Sequence, residues 1–390
     1  MSHIQLETVL QQKKMVVCIG AGGVGKTTFA ATIALRAAML GRKVACLTID
    51  PAKRLGDVLG IHQITGDNEM SVERPAFDGT ELHDLSAFLR ADCRGSLHVG
   101  MLNAKQTFDN VVRDKSSSPA RAEKILKNKL YRYVSGSLSG MQEYMALERL
   151  CQLQENDAYD FVVLDTPPSD NVIDFFSAPS RMRNALDGPL VRMMRKVYGS
   201  GSSPGFDFFG RWAMSVFGVL SKITGASLLD EIMEFVDALS DLFGNFSVRA
   251  VQIEQMLSGK DVDVFMVTRP DDASAKETGE LQKALETRGF HVDGLVFNQC
   301  TLPKVVEAIP ESLIEPCRSE FAEVNRTWNI VYEQEQGVIS KVVNELSTFS
   351  LVCTIPLIPV ENNRIDGLIE IWNAIQEVIR TDEPVSPVSG

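Results

Sequence analysis

No uninterrupted apolar run in this sequence approaches the roughly 18 residues that a bilayer-spanning helix needs, so stable membrane insertion is not expected. Nor does the N-terminus combine a basic start, an apolar stretch and a small-residue cleavage site, the pattern of a secretory leader. The seven cysteines (Cys18, Cys46, Cys93, Cys151, Cys300, Cys317 and Cys353) stand singly with no C-x-x-C. That spacing argues against a disulfide framework and against a thiolate zinc site within one chain. Basic residues are outnumbered, 39 Lys+Arg against 51 Asp+Glu for a net charge of -12. That balance argues against a nucleic-acid or anionic-membrane surface as the main partner, because those are held by clustered Lys/Arg. Together these absences describe a cytoplasmic protein. Its 390 residues, 44% hydrophobic, are enough to bury a large core.

Six short runs are apolar on both faces: 15–20 (MVVCIG), 43–50 (KVACLTID), 160–165 (DFVVLD), 263–268 (DVFMVT), 292–298 (VDGLVFN) and 349–357 (FSLVCTIPL). Such runs are strands covered by helices on both sides. Helical periodicity at 26–40, 138–154, 274–288 and 364–380 alternates with them. The expected fold is therefore α/β, a doubly wound, mostly parallel sheet. Two regions break the alternation: 63–96 reads as polar loop, and 170–258 as a long, strand-free helical insertion. Gly/Ser/Pro stretches at 197–205 and 115–120 interrupt helical segments. The expected organisation is one domain over 1–380, with a helical subdomain inserted at about 170–258, further helices at about 103–150, and a flexible tail over 381–390.

Residues 20–27 (GAGGVGKT) satisfy G-x-x-x-x-G-K-[ST], between a predicted strand and a predicted helix. In that context the backbone N–H groups of Gly22, Gly23, Val24, Gly25 and Thr28, with the helix N-terminus, cradle phosphates. Lys26 reaches the β and γ groups, and the Thr27 hydroxyl binds Mg²⁺. A second predicted strand ends in TIDPAKR at Asp50, and a third in VVLDTPPSDN at Asp165. Ligands collect at the carboxyl ends of parallel strands. Asp165 is assigned to the metal, and Asp50 to the attacking water. Either aspartate alone reads equally well as a helix cap or turn former. The segment VFNQC puts Asn298 just past another strand, where its amide could pair with the N6/N7 edge of adenine; Asn there is also a common turn residue. No N-K-x-D guanine reader is present, so ATP is expected over GTP.

These residues resemble the ArsA/TRC group of anion-transporting-ATPase-like proteins, which includes arsenite-pump ATPases and the ATPases that deliver tail-anchored membrane proteins. The similarity runs through GAGGVGKTT, TIDPAKRLGDVLG, SGSLSGMQEYMALERL, VVLDTPPSDNVIDFF, VTRPDDASAKET, LVFNQC and IPLIPVE, nearly the whole chain. It implies Asp50 as the residue activating water, Asn298 as an adenine contact, and Asp271, the acid after TRP, as a further nucleotide contact. It also implies a nucleotide-gated dimer. This chain departs from the group's pattern where the signature lysine of the loop, which reaches the partner's phosphates, is replaced by Ala21. Also missing are the paired C-x-x-C of the targeting factors, a cysteine cluster suited to As(III), and the second P-loop half of the arsenite pumps.

Alanine keeps the loop backbone but deletes a cation that would stabilise the transition state, so hydrolysis by a self-paired form is expected to be slow. A heterodimer with a paralogous ATPase, or Lys53 and Arg54 in the DPAKR segment, could restore that charge; the two could equally be solvated surface cations. The rival reading is a weakly active, nucleotide-binding regulatory subunit of a hetero-oligomer. Finally, Leu228, Ile232, Phe235, Leu239, Leu242 and Phe246 recur at helical spacing, with Met182, Met193, Met194, Met214 and Met233 nearby. They form either a soft groove for a hydrophobic-helix client or the core of the helical subdomain.

Overall fold

The computed structural model describes residues 4–49, 55, 58–59, 83–85, 94–128, 131, 141–155, 158–186, 246–302, 317–346, 349–358 and 365–378. Among the described residues nine strands form one sheet. In chain order they are β1 (Met15–Ile19), β2 (Lys43–Thr48), β3 (His83–Asp84), β4 (Ser96–Met101), β5 (Phe161–Asp165), β6 (Val262–Thr268), β7 (Gly294–Cys300), β8 (Leu351–Pro356) and β9 (Gln376–Glu377). Their spatial order is β3-β4-β2-β5-β1-β6-β7-β8-β9. The seven strands from β4 to β8 pair in parallel, and the two-residue edges β3 and β9 pair antiparallel. All six apolar runs are strands, as their double-sided hydrophobicity requires: β1, β5 and β6 are buried at every position.

The chain divides into two compact units. The first comprises 1–101, 156–173 and 260–390 and contains the sheet. One of its cores lies under α2 (Lys26–Met39), whose sequence KTTFAATIALRAAM is rich in alanine, the best helix former. Small side chains let the helix sit close to the strands, and its Phe29 ring meets Phe265 at 5.9 Å between centroids. Helices α1 (Ile4–Gln12) and Ile365–Ala374 add Leu6, Leu10, Leu368 and Trp372 to the same core. Among the described residues, no helix is long and apolar enough to cross a membrane.

The second unit, 102–155 and 174–259, is helical where described. It holds Ala104–Lys115, Pro119–Lys127, Met141–Glu155, the greater part of Ser169–Leu186, and a helical stretch over 246–257. Ser118 caps its helix by accepting from the Arg121 N–H, which is why the chain breaks in the Ser/Pro run after 115. Phe246 packs edge-on against Tyr144 and Phe108. Arg249 joins 246–257 to Met141–Glu155 through Glu148 at 2.9 Å and both oxygens of Glu155. Most of the phenylalanine- and methionine-rich stretch, together with the 197–205 run and the 381–390 tail, lies outside the described residues.

Three expectations need correction. The region 63–96 is not all loop, since His83–Asp84 pairs with β4, which itself begins at Ser96. The helix predicted over 364–380 ends at Ala374; Gln376 and Glu377 turn to pair with β8, and the Glu377 carboxylate accepts from the Leu6 N–H at 2.9 Å, so that it caps α1. Asn298 lies within β7, not beyond its end. The 29-residue helix Cys317–Glu345 was not foreseen.

Candidate nucleotide-binding site

The glycine loop follows β1, the strand flanked by β5 and β6. The consecutive strands β5 and β6 lie on opposite sides of β1, a switch in strand order that opens a crevice at the carboxyl ends of these strands. The loop's backbone is one that only glycine supports. Gly20 has φ +141°, and a Cβ there would lie 2.1 Å from the Val267 carbonyl oxygen on β6. Gly25, at φ +92°, directly precedes α2 and supplies no side-chain cap. Gly25 thus sets no side chain against the first N–H groups of α2, the groups that a side-chain cap would otherwise engage. A loop this bare of side chains, leading to a helix start with no side-chain cap, has the build that a phosphate cradle needs.

Lys26 and Thr27 open that helix. The Lys26 ammonium is nearly buried and donates back to the Ala21 carbonyl at 2.6 Å, so it already lies along the loop it would share with phosphate oxygens. Ala21 itself packs its methyl against the core. The Thr27 hydroxyl donates to Asp165 Oδ2 at 2.7 Å. Asp165 ends β5 directly beside Cys18 of β1, so the sheet register alone sets its place under the loop. A hydroxyl and a carboxylate at this point are the hard oxygen groups that Mg²⁺ takes together with water, and the donor set fits that ion.

Sequence reasoning missed a supporting residue: the Thr48 hydroxyl, buried at the end of β2, also donates to Asp165 Oδ2, at 3.1 Å. Its signal was a lone polar side chain closing an apolar run. Thr166 is held in the same way, donating to the Cys18 carbonyl at 2.8 Å. Burial, with the Asp165 charge in second place, raises the Cys18 thiol well above its ordinary value, so no thiolate forms beneath the loop. The Ile49 N–H donates to the Asp165 carbonyl at 3.2 Å, fixing the backbone that leads to position 50. Asp50, Lys53 and Arg54 lie outside the described residues.

Asn298 reaches the loop from β7, donating its Nδ2 to the Val24 carbonyl at 2.8 Å. Beside it, Gly25, Thr28, Asn298, Gln299, Pro356 and Leu357 help line a cavity of about 230 Å³. The strand reaches this cavity through a register irregularity between Phe297 and Cys300, with Gln299 at φ +61°. Asp271 is placed elsewhere. It is the N-cap of Asp272–Glu286, accepting from the Ser274 N–H and hydroxyl at 2.9 Å each, and it is not among the residues lining the cavity beside Asn298.

The family model described as Anion-transporting ATPase matches residues 13–361. The chain belongs to this family. Similar relatives include a putative arsenical pump-driving ATPase 2 of Aquifex aeolicus, 23% identical over 85% of this chain and 96% of the relative. The ATPase GET3 of Ajellomyces dermatitidis is likewise 23% identical, over 91% of this chain and 94% of the relative. The ATPase get3 of Aspergillus terreus is 22% identical over 77% of each chain. Membership agrees with the mostly parallel α/β sheet. Among the described residues no group of three or more His, Cys, Asp or Glu side chains stands together as a metal cluster.

Proposed function

We propose that this protein is a cytoplasmic, Mg²⁺-dependent ATPase of the ArsA/TRC type, in which ATP binding and hydrolysis close and open a dimer and so move a helical subdomain that binds a client or partner. The observation that carries this reading is the conjunction of an uncapped, glycine-built helix start with Thr27 held 2.7 Å from Asp165, beside a cavity containing Asn298. In this reading the loop amides from Gly22 to Thr28 and the Lys26 ammonium hold the phosphates. Thr27 and Asp165 hold Mg²⁺, which when bound neutralises charge on the phosphate oxygens. Asp50, on the chain that leaves Ile49, aligns the attacking water; its oxygen bonds to the γ-phosphorus as the bond to the bridging oxygen breaks, leaving ADP and phosphate. Asn298 faces the nucleoside. Asp271, assigned to the nucleotide from resemblance, keeps that role in this reading and also caps Asp272–Glu286 through Ser274.

Ala21 supports a second reading, a nucleotide-binding subunit that hydrolyses slowly on its own and pairs with a paralogous ATPase. A lysine here would be the trans cation of a closed dimer, and removing such a charge costs orders of magnitude in rate. One set of measurements tests both. Calorimetry should show MgATP binding to the wild type and none to Lys26→Ala; no heat with the wild type would refute the shared premise. Phosphate release and sedimentation, with and without nucleotide and with a paralogous chain added, then separate the readings. Brisk turnover by the purified chain alone would refute the regulatory one.

A further inference from the structure

We infer that Asn298 is a positioning residue for the phosphate loop, in addition to any contact it makes with a base, so that one carboxamide links the nucleoside cavity to the phosphate cradle. The inference rests on the nucleotide-binding reading for its meaning, though the latch itself exists in the ligand-free fold. The Val24 carbonyl is an acceptor, so only the NH₂ end of Asn298 can face it; the amide orientation follows from chemistry. That bond joins residues 274 apart in sequence, tying β7 to the turn just before α2. Gly25 makes room for it: a Cβ there would lie 2.1 Å from Asn298 Nδ2 and 3.3 Å from its Cγ. The loop is therefore shaped around the asparagine as well as around phosphate.

The far end of the latch is anchored too. Two residues after Gln299, the Thr301 N–H and hydroxyl donate to the two Glu335 oxygens at 2.6 and 2.8 Å, holding the end of β7 to the helix Cys317–Glu345. Between these anchors Gln299 keeps its left-handed backbone, an arrangement that persists only where its surroundings enforce it. With one amide hydrogen on Val24, Asn298 retains a second hydrogen and its Oδ1 for a ligand in the cavity it lines. A base bound there and a phosphate bound in the loop would each favour the same asparagine position. Such shared dependence is a coupling free energy between the two subsites.

The test uses the full chain as wild type, Asn298→Ala and Asn298→Asp; the aspartate keeps the shape but sets a carboxylate against the Val24 carbonyl. First, amide hydrogen exchange is followed without ligand. The expected result is exchange over 20–29 about tenfold faster in both variants, the worth of one hydrogen bond, with Asp272–Glu286 unchanged. Unchanged exchange over 20–29, or an equal rise in both segments, would overturn the inference. Second, magnesium tripolyphosphate, which has no base, is titrated beside MgATP. Both variants should lose about tenfold in tripolyphosphate affinity. Loss confined to MgATP would reduce Asn298 to a base contact and overturn the latch. Should the wild type bind neither probe, the proposed function falls, and the exchange experiment alone decides the latch.

Discussion

Replacing Gly25 with alanine brings two separable forces to bear on the same atoms. The first is local: an L-residue in the left-handed region costs about 1–2 kcal/mol, and Gly25 sits at φ +92°, ψ 22°. The second is steric, since the new Cβ would overlap Asn298 Nδ2 at 2.1 Å, which forces the carboxamide away and forfeits its bond to Val24, worth about 1 kcal/mol net. The sum is about 2–3 kcal/mol. If the loop keeps its shape, the cost appears as lost stability in urea unfolding. If it relaxes, the cost appears when phosphate restores the shape, as a fall of about 30- to 150-fold in MgATP affinity. Gly23→Ala is the internal control, because its φ is +77° but nothing lies within 4 Å of its added Cβ. It should show the backbone part alone, about 1–2 kcal/mol. Calorimetry and urea unfolding on both variants measure the difference. Equal effects at 23 and 25 would refute the steric step, and a Gly25→Ala protein that binds within threefold of wild type and unfolds alike would refute the whole argument.

Other outcomes follow from the same structure. Arg249→Ala removes the charge partner of Glu148, whose side chain is 6% exposed, and leaves it the Gln152 amide at 3.0 Å; a buried carboxylate stripped of its counter-charge typically costs about 3–5 kcal/mol in chemical unfolding, and the double variant Arg249→Met with Glu148→Gln should recover most of it. Burial, ahead of the neighbouring Asp263 charge, raises the Asp293 carboxyl above its ordinary 3.8 against the opposing pull of the Val264 N–H. Its contribution to stability is therefore present below 3.8 and is lost as pH rises through the folded value. Asp293→Asn, still able to accept from Val264, should melt higher than wild type at neutral pH, with the gain vanishing on acidification. Among the described cysteines only Cys317 is exposed, while Cys18, Cys46, Cys151, Cys300 and Cys353 are buried, with Cys151 and Cys300 each pushed up to about 12 by desolvation. A thiol reagent acting on the native protein should lose one fast equivalent in Cys317→Ser and none in Cys300→Ser.

What the sequence determined by itself is whatever depends on a few consecutive residues. Apolar runs located the six strands, because burial on both faces leaves its mark on every residue of the run. The glycine loop between β1 and α2 was legible for a similar reason: glycine spacing, a lysine and the helix after it are all local. Asp165 could be named from its place at the end of a run. The N-cap at Asp271, with Ser274 three residues on, is a local pattern of the same kind that the sequence reading did not use.

Tertiary structure decided what depends on residues far apart along the chain. The helical pattern after Ile365 continued in the sequence, yet pairing with β8 and the capping of α1 by Glu377 ended it at Ala374. Thr48 bonds to a carboxylate 117 residues away, and Asn298 grips a carbonyl 274 residues away. No periodicity encodes such pairs, because a hydrogen bond across the sheet depends on strand order and register, and those emerge only when the whole sheet assembles. The order that sets β1 between β5 and β6 brings Asp165 under the loop, and the irregularity in β7 brings Asn298 over it.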